Sequence, residues 1–184
     1  MNLEFRKNEK PTLFPVLMFY SFFIFISIVI AHFTYKNLFF IGFERIIRVH
    51  HILFGIGSGI LVVLLSFLLT YIFHWAQKLE KEFKDYLTPL PLASIFGMAL
   101  ASALGEEFLF RGAIQQASNI YIASFLFGLF HFPFKKEMIP WTVMAIVMGF
   151  LLGWLFEYTG NLAAPILCHF TINFINILIL NLKK

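Results

Sequence analysis

Glu106 and Glu107 stand side by side just before Arg111, in a stretch of chain otherwise apolar enough to lie in a bilayer. An ionised carboxylate at membrane depth costs roughly 2.5–3.5 kcal/mol even on lenient insertion scales, so a chain keeps one only where it is paired, hydrated or used. Glu107 and Arg111 are four apart with the acid N-terminal, the favourable orientation for an ion pair along a helix. Glu106 is turned about 100° away and is free of that arginine. This division predicts a structural clamp, Glu107 with Arg111, beside a carboxylate kept for proton transfer, Glu106. Further along, His131, His169 and Asn173 add two imidazoles and an amide, each inside another apolar run. A carboxylate beside an imidazole can hold and deprotonate a water, and a second imidazole with an amide offers donors to a developing oxyanion. Those parts suit hydrolysis of an amide bond. Glu106, His131 and His169 are also a ligand set for a divalent metal such as zinc, with an open position for water. The motif HExxH is absent, so both chemistries stay open at this point.

The elements that must position these groups are membrane helices. Hydrophobic residues make up 60% of the 184 and charged residues 13%, with 26 Phe, whereas a soluble domain carries about 25% charge. The apolar runs have helical length and none alternates as a barrel strand does. The chain therefore reads as an all-α polytopic membrane protein with the catalytic site between its core helices. Six transmembrane spans are expected, at Leu13–Phe33, Ile52–Phe73, Leu92–Ala117, Ile120–Phe132, Trp141–Tyr158 and Leu162–Leu182. A turn at Ser118-Asn119 makes a hairpin in which Glu106 and His131 are equally far from the bend. About 12 residues of helix is about 18 Å, close to the middle of a hydrocarbon core of about 30 Å. Their side chains should come within roughly 6 Å of each other. The last span re-enters after Tyr158-Thr159-Gly160-Asn161 and carries His169 and Asn173 on one face, extended by Asn176, roughly 12–20 Å in.

A single membrane domain, 1–184, is the simplest organisation: a catalytic core over 92–182, and two transmembrane helices with interfacial connections over 1–91. No linker, low-complexity tract or repeat divides it. The connections Thr34–His51 and His74–Thr88 both read as interfacial helices; in the second, Trp75, Leu79, Phe83 and Leu87 alternate with Lys and Glu. Adjacent His50 and His51 diverge on a helix and are explained by that interface rather than by a metal. Gly55, Ser58 and Gly59, then Gly97, Ala101 and Gly105, then Gly149 and Gly153 mark close helix approaches. The third-span set would let a neighbour close a site against the carboxylate helix. Cys168 is the single cysteine, which excludes an intrachain disulfide, and it reads as a packing residue. The first span is too long for a signal-peptide core and no small-x-small cleavage site follows it, so a retained anchor is expected.

Arg6, Lys7, Lys10, Lys78, Lys81, Lys84, Lys135, Lys136, Lys183 and Lys184 fall on one side of the six spans, against Lys36, Arg45, Arg48 and at most Arg111 on the other. Both termini are therefore expected in the cytoplasm. The net charge of +4 follows from this bias and suits anionic lipid head groups. The basic residues form no stripe, which speaks against nucleic-acid binding.

The polar residues fall into motifs of a known family. Glu106-Glu107-Phe108-Leu109-Phe110-Arg111 resembles EExxxR, Phe127-Gly128-Leu129-Phe130-His131 resembles FxxxH, and His169-Phe170-Thr171-Ile172-Asn173 resembles HxxxN of the CPBP (Abi) family. Thr159-Gly160-Asn161-Leu162-Ala163-Ala164-Pro165-Ile166 is similar to that family's approach to its third motif. The family comprises type II CAAX prenyl endopeptidases and bacteriocin-processing or immunity-related membrane proteins. The resemblance, over about Leu92 to Leu182, implies an intramembrane endopeptidase in which Glu106 and His131 activate the water, His169 and Asn173 form the oxyanion site, and Glu107 with Arg111 supports them. It implies a membrane-associated protein or peptide substrate, prenylated or leader-bearing. The two spans before the core are fewer than in eukaryotic prenyl-processing members, which weakens the CAAX-type substrate in particular. Family members are described both as metalloproteases and as users of glutamate-activated water, so zinc stays an alternative cofactor. The expected location is a bacterial cytoplasmic membrane. Two rival functions are a non-proteolytic immunity or accessory protein of the same fold and a transporter with a proton relay. Intact Glu106 favours the enzyme over the first, and the lack of two half-chain repeats with broken helices counts against the second.

Overall fold

The computed structural model describes residues 11–35, 47–132 and 135–183. Their regular structure is helical throughout: α1 (Leu13–Tyr35), α2 (Val49–Ile72), α3 (His74–Leu87), α4 (Leu92–Glu107), α5 (Ile120–Phe130), α6 (Ile139–Thr159) and α7 (Ala163–Leu182). Phe108–Gln115 continues α4 as a π-helix, and Lys136–Met138 forms one 3₁₀ turn ahead of α6. Five helices, counting α4 and its π-helical continuation as one, are long and apolar enough to cross a membrane. Phe14, Phe22, Leu64, Phe125 and Val147 are exposed on outward faces, an apolar surface suited to lipid, in which helices satisfy their own backbone groups. The chain is a polytopic integral membrane protein.

The span expected at Ile120–Phe132 differs from the others. α5 has 11 residues, about 16 Å of helix against a core of about 30 Å. It ends at Phe130, with His131 as its C-cap. Leu13 still lies against Gly97, and Asn181 accepts the Leu90 backbone N–H at 2.6 Å. The start of α1, the start of α4 and the end of α7 therefore share one end of the bundle.

The predicted interfacial helix over His74–Thr88 is α3, with Ala76 and Leu79 buried and Lys78 and Lys81 exposed. It is fastened to that same end: Lys183 Nζ lies 2.7 Å from both Glu80 carboxylate oxygens. Of the other predicted interfacial segment, Thr34–His51, residues 36–46 lie outside the described residues, as do Arg6, Lys7, Lys10 and Lys184 of the charge count. His51 belongs instead to the first turn of α2. It is buried, and its Nδ1 accepts the Arg48 backbone N–H at 3.3 Å, so it satisfies a helix terminus rather than lying in an interfacial helix.

Small residues set the helix spacing. A Cβ on Gly55 would fall 2.6 Å from the Ala164 carbonyl oxygen, and one on Gly59 would fall 2.7 Å from Thr171 Cβ, so α2 and α7 pack backbone to backbone. A leucine at Gly55 has no room against a carbonyl that cannot rotate away. Gly55→Leu is expected to destabilise the fold by about 1–3 kcal/mol, read as a lowered thermal unfolding midpoint in detergent; an unchanged midpoint would contradict the close α2–α7 packing. The buried centre between α1, the π-helical continuation of α4, α5, α6 and α7 holds Phe23, Phe110, Phe127, Leu152, Leu155 and Cys168. Cys168 is free and buried, a packing residue as its surroundings in the sequence suggest.

Two turns fix how the site-bearing helices begin. Asn119 accepts the Ile122 backbone N–H at 3.0 Å and caps α5. α6 ends at Gly160, whose φ of 60° is the left-handed conformation that glycine takes without strain. Asn161 then accepts the Ala163 N–H at 2.8 Å and starts α7.

Candidate active site

Glu106 closes α4, His131 terminates α5, and His169 lies two turns into α7; the three converge. His131 Nε2 is 3.6 Å and His169 Nε2 3.9 Å from Glu106 Oε2. The expected approach of Glu106 to His131 is met. Both distances exceed a direct hydrogen bond, and Glu106 Oε2 is buried with no hydrogen-bond partner in the protein.

The other ring nitrogens decide what the Nε2 atoms can do. His131 Nδ1 is 2.7 Å from the Phe127 carbonyl oxygen, which only accepts, so Nδ1 carries the hydrogen and Nε2 of the neutral ring presents its lone pair to Glu106. The ring is further held edge-on by Trp141, centroids 5.5 Å apart, and Thr142 Oγ1 donates to the His131 carbonyl at 3.3 Å. His169 Nδ1 is 2.8 Å from Glu107 Oε1. A glutamate ion-paired to arginine accepts there, which again turns Nε2 toward Glu106 and supports an imidazolium when one forms.

Glu107 thus does more than the predicted clamp. Its Oε1 takes Arg111 Nη1 at 3.2 Å as well as the His169 ring, and both ion-pair partners are fully buried. Arg111 Nη2 donates to the Gly149 carbonyl at 2.9 Å, and the guanidinium lies 4.6 Å above the Phe127 ring, a cation–π contact that needs no counter-charge. One residue type set, EExxxR, so joins α4, α6 and α7. The π-helical segment adds Gln115, which donates to the Gly153 carbonyl and to Glu157 Oε1, each at 3.1 Å; π segments commonly occur at functional sites. Gly149 and Gly153 bring α6 close enough for these side chains to reach its carbonyls.

Asn173 shares the His169 face but binds Ser102 Oγ, 2.9 Å away on α4. Ser102 in turn donates to the Ala99 carbonyl at 3.1 Å, which leaves the amide one further N–H. Asn176 is turned elsewhere: its Oδ1 accepts from Ser66 on α2 at 3.4 Å, so it does not extend the site face as the spacing suggested. Neither Ser102 nor Tyr20, which packs against Gly105 beside Glu106, stands out in the sequence; a serine among small residues and a tyrosine among phenylalanines carry no spacing signal. Access to the cluster is on the His131 side, where that side chain keeps 19% exposure against 7% for Glu106 and 8% for His169.

Among the described residues no three His, Cys, Asp or Glu side chains are grouped to hold a metal ion. Glu107, the remaining acid, is committed to Arg111 and His169, and Asn173 to Ser102.

This polar cluster occupies a defined segment of the chain. Residues 88–175 match the family model described as Rce1-like, type II CAAX prenyl endopeptidase Rce1-like. Over this segment the chain is similar to the Rce1-like family. The matched segment includes Glu106, Glu107, Arg111, His131, His169 and Asn173, whereas α1, α2 and α3 precede it. A relative from Bacillus subtilis (strain 168), named "Uncharacterized protein YpbD", is 33% identical over 90 residues, 49% of this chain and 47% of that protein. The match thus spans about half the length of the curated relative. No solved structure matches.

Proposed function

We propose that the chain is an intramembrane endopeptidase that hydrolyses a peptide bond of a membrane-associated protein or peptide. The observation that carries this reading is the convergence of one unpartnered carboxylate oxygen, Glu106 Oε2, with two imidazole Nε2 atoms at 3.6 and 3.9 Å. A water in that gap would donate one hydrogen to Glu106 and the other to His131. Glu106 takes a proton as the water oxygen attacks the scissile carbonyl carbon. The oxyanion receives the free N–H of Asn173 and the Nε2–H of His169 as imidazolium, which the Glu107 carboxylate stabilises through Nδ1. Glu106 then passes its proton to the leaving nitrogen as the C–N bond breaks, giving a carboxylic acid and an amine. The side chains carry every step.

The type II CAAX description of the matching family supports a peptide whose C-terminus is a prenyl-cysteine followed by three residues as the first substrate probe. The same reading puts both termini and α3 on the cytoplasmic side of a bacterial membrane, supported by Lys78, Lys81, Lys135 and Lys183 gathering at the α3 end. A C-terminal reporter active only in the cytoplasm reads that orientation, and a silent reporter would reverse it.

The test is cleavage of a fluorescence-quenched peptide ending in farnesyl-cysteine and three further residues, with a leader-bearing peptide in parallel, by purified full-length protein. Activity is expected and should survive exhaustive chelation. Activity lost on chelation and restored by zinc would overturn the metal-free chemistry; no cleavage of either peptide would overturn the peptidase reading.

A further inference from the structure

α3 lies before the matched segment, yet two of its side chains reach the structure that surrounds His131. Phe83, half-buried, meets the half-buried Trp141 ring edge-on, centroids 4.8 Å apart at 68°. Trp141 stands in the first turn of α6 and meets the His131 imidazole in turn, at 5.5 Å and 65°. Next to Phe83, Glu82 Oε2 lies 3.5 Å from Lys135 Nζ, on the segment between α5 and α6. Both members of that pair are more than half exposed, so it adds little stability, but it is a second contact by which α3 docks on the chain that follows His131.

His131 depends on such outside contacts because it is the C-cap of α5. Its carbonyl has no donor within the helix; Thr142 supplies one, at 3.3 Å. Adjacent residues of α6 thus hold the backbone of His131 through Thr142 and meet its ring through Trp141. On the other side, Nδ1 is fastened to the Phe127 carbonyl at 2.7 Å and the Phe127 ring lies beside the imidazole, centroids 4.6 Å apart at 35°. One hydrogen bond still leaves the imidazole able to pivot about Nδ1. The neighbouring Phe130 ring gives no support, since it turns to Phe23 and Phe110. Nε2 lies 3.6 Å from Glu106 Oε2, so a small pivot would open or close the gap that the attacking water is to occupy. We infer that Trp141 is a positioning residue for His131 and that Phe83 of α3 seats Trp141, the two rings forming a brace that keeps Nε2 turned toward Glu106. Edge-on aromatic pairs attract beyond the area they bury. The catalytic consequence rests on the peptidase reading, whereas the brace itself does not. It makes the interfacial helix α3 part of the site rather than a connection between spans.

Trp141→Leu keeps an apolar side chain and removes the ring. With the farnesylated quenched peptide as probe and the full chain reconstituted in lipid, kcat is expected to fall about 10- to 100-fold, as a misplacement of about 1 Å does, with KM within about twofold. Trp141→Phe keeps an aromatic wall and should recover most of the loss. Phe83→Leu leaves Trp141 intact and should lower kcat about 3- to 10-fold, the range of one aromatic pair. Trp154→Leu, at an exposed position of the same helix as Trp141, should leave both constants unchanged. Wild-type kcat in Trp141→Leu, or a raised KM with kcat unchanged, would overturn the inference, and wild-type kcat in Phe83→Leu would remove α3 from the brace. Thermal unfolding of Trp141→Leu, His131→Ala and the double variant gives a reading that needs no activity. Coupled, non-additive shifts are expected, and additive shifts would overturn the contact. If wild type cleaves neither peptide, the peptidase reading fails while this cycle still decides whether Trp141 holds His131.

Discussion

Glu106→Gln is expected to abolish peptide cleavage while leaving the protein folded. The amide has nearly the same shape as the carboxylate, so packing at the end of α4 is kept. What it loses is the ability to take a proton from water. General-base catalysis contributes about 10²–10⁴-fold, and because in the proposed mechanism Glu106 also returns the proton to the leaving nitrogen, the loss should lie at the upper end. Stability should move the other way or not at all. Glu106 Oε2 is buried without a hydrogen-bond partner, and an uncompensated buried charge costs free energy that the neutral amide avoids. Cleavage rate and thermal midpoint measured on the same preparation test both halves. An active Glu106→Gln protein would remove Glu106 as the base, and one that unfolds would make it a structural residue instead.

Arg111→Ala should have the opposite profile, with the fold itself failing. Arg111 and Glu107 are both fully buried, and removing one member of such a pair typically costs about 3–5 kcal/mol because its partner keeps an unanswered charge. Here the loss spreads further. The Gly149 carbonyl loses its donor, the Phe127 ring loses the cation above it, and the His169 ring is left on a glutamate with no counter-ion. Glu107→Gln strands the guanidinium in the same way. Both variants should show a low yield of monodisperse protein by size-exclusion chromatography and a depressed unfolding midpoint. Arg111→Lys should fall between wild type and alanine, since an ammonium keeps the charge but not the fork that reaches Glu107 and Gly149 together. A stable, monodisperse Arg111→Ala protein would contradict the clamp.

The sequence was legible where a physical constraint acts at fixed spacing. Charge in an apolar run exposed Glu106, Glu107 and Arg111, and the helical rise from the Ser118-Asn119 turn brought His131 to Glu106. It was less legible where a contact depends on three-dimensional approach. The Glu107–His169 bond joins residues 62 apart, and neither periodicity nor charge pairing along one helix could indicate it. Asn176 looked like part of the His169 face because spacing orders residues around a helix without saying which neighbour each will meet; it met α2. Tyr20 was hidden among the aromatics of α1, and its close approach to α4 was marked only by the absence of a side chain at Gly105. The length of α5 was overestimated because Phe130 and Phe132 extend the apolar run past the residue where the helix stops, with His131 bonding back to Phe127.

The central claim is that Glu106, with His131 and His169, drives water into a peptide bond. Its most direct test is mass spectrometry of the farnesylated peptide after incubation with lipid-reconstituted protein in ¹⁸O-labelled water, wild type beside Glu106→Gln. The account predicts a single cleaved bond whose new carboxyl group carries ¹⁸O from the solvent, formed by wild type and missing from Glu106→Gln. Labelled product formed by Glu106→Gln at the wild-type rate would contradict it.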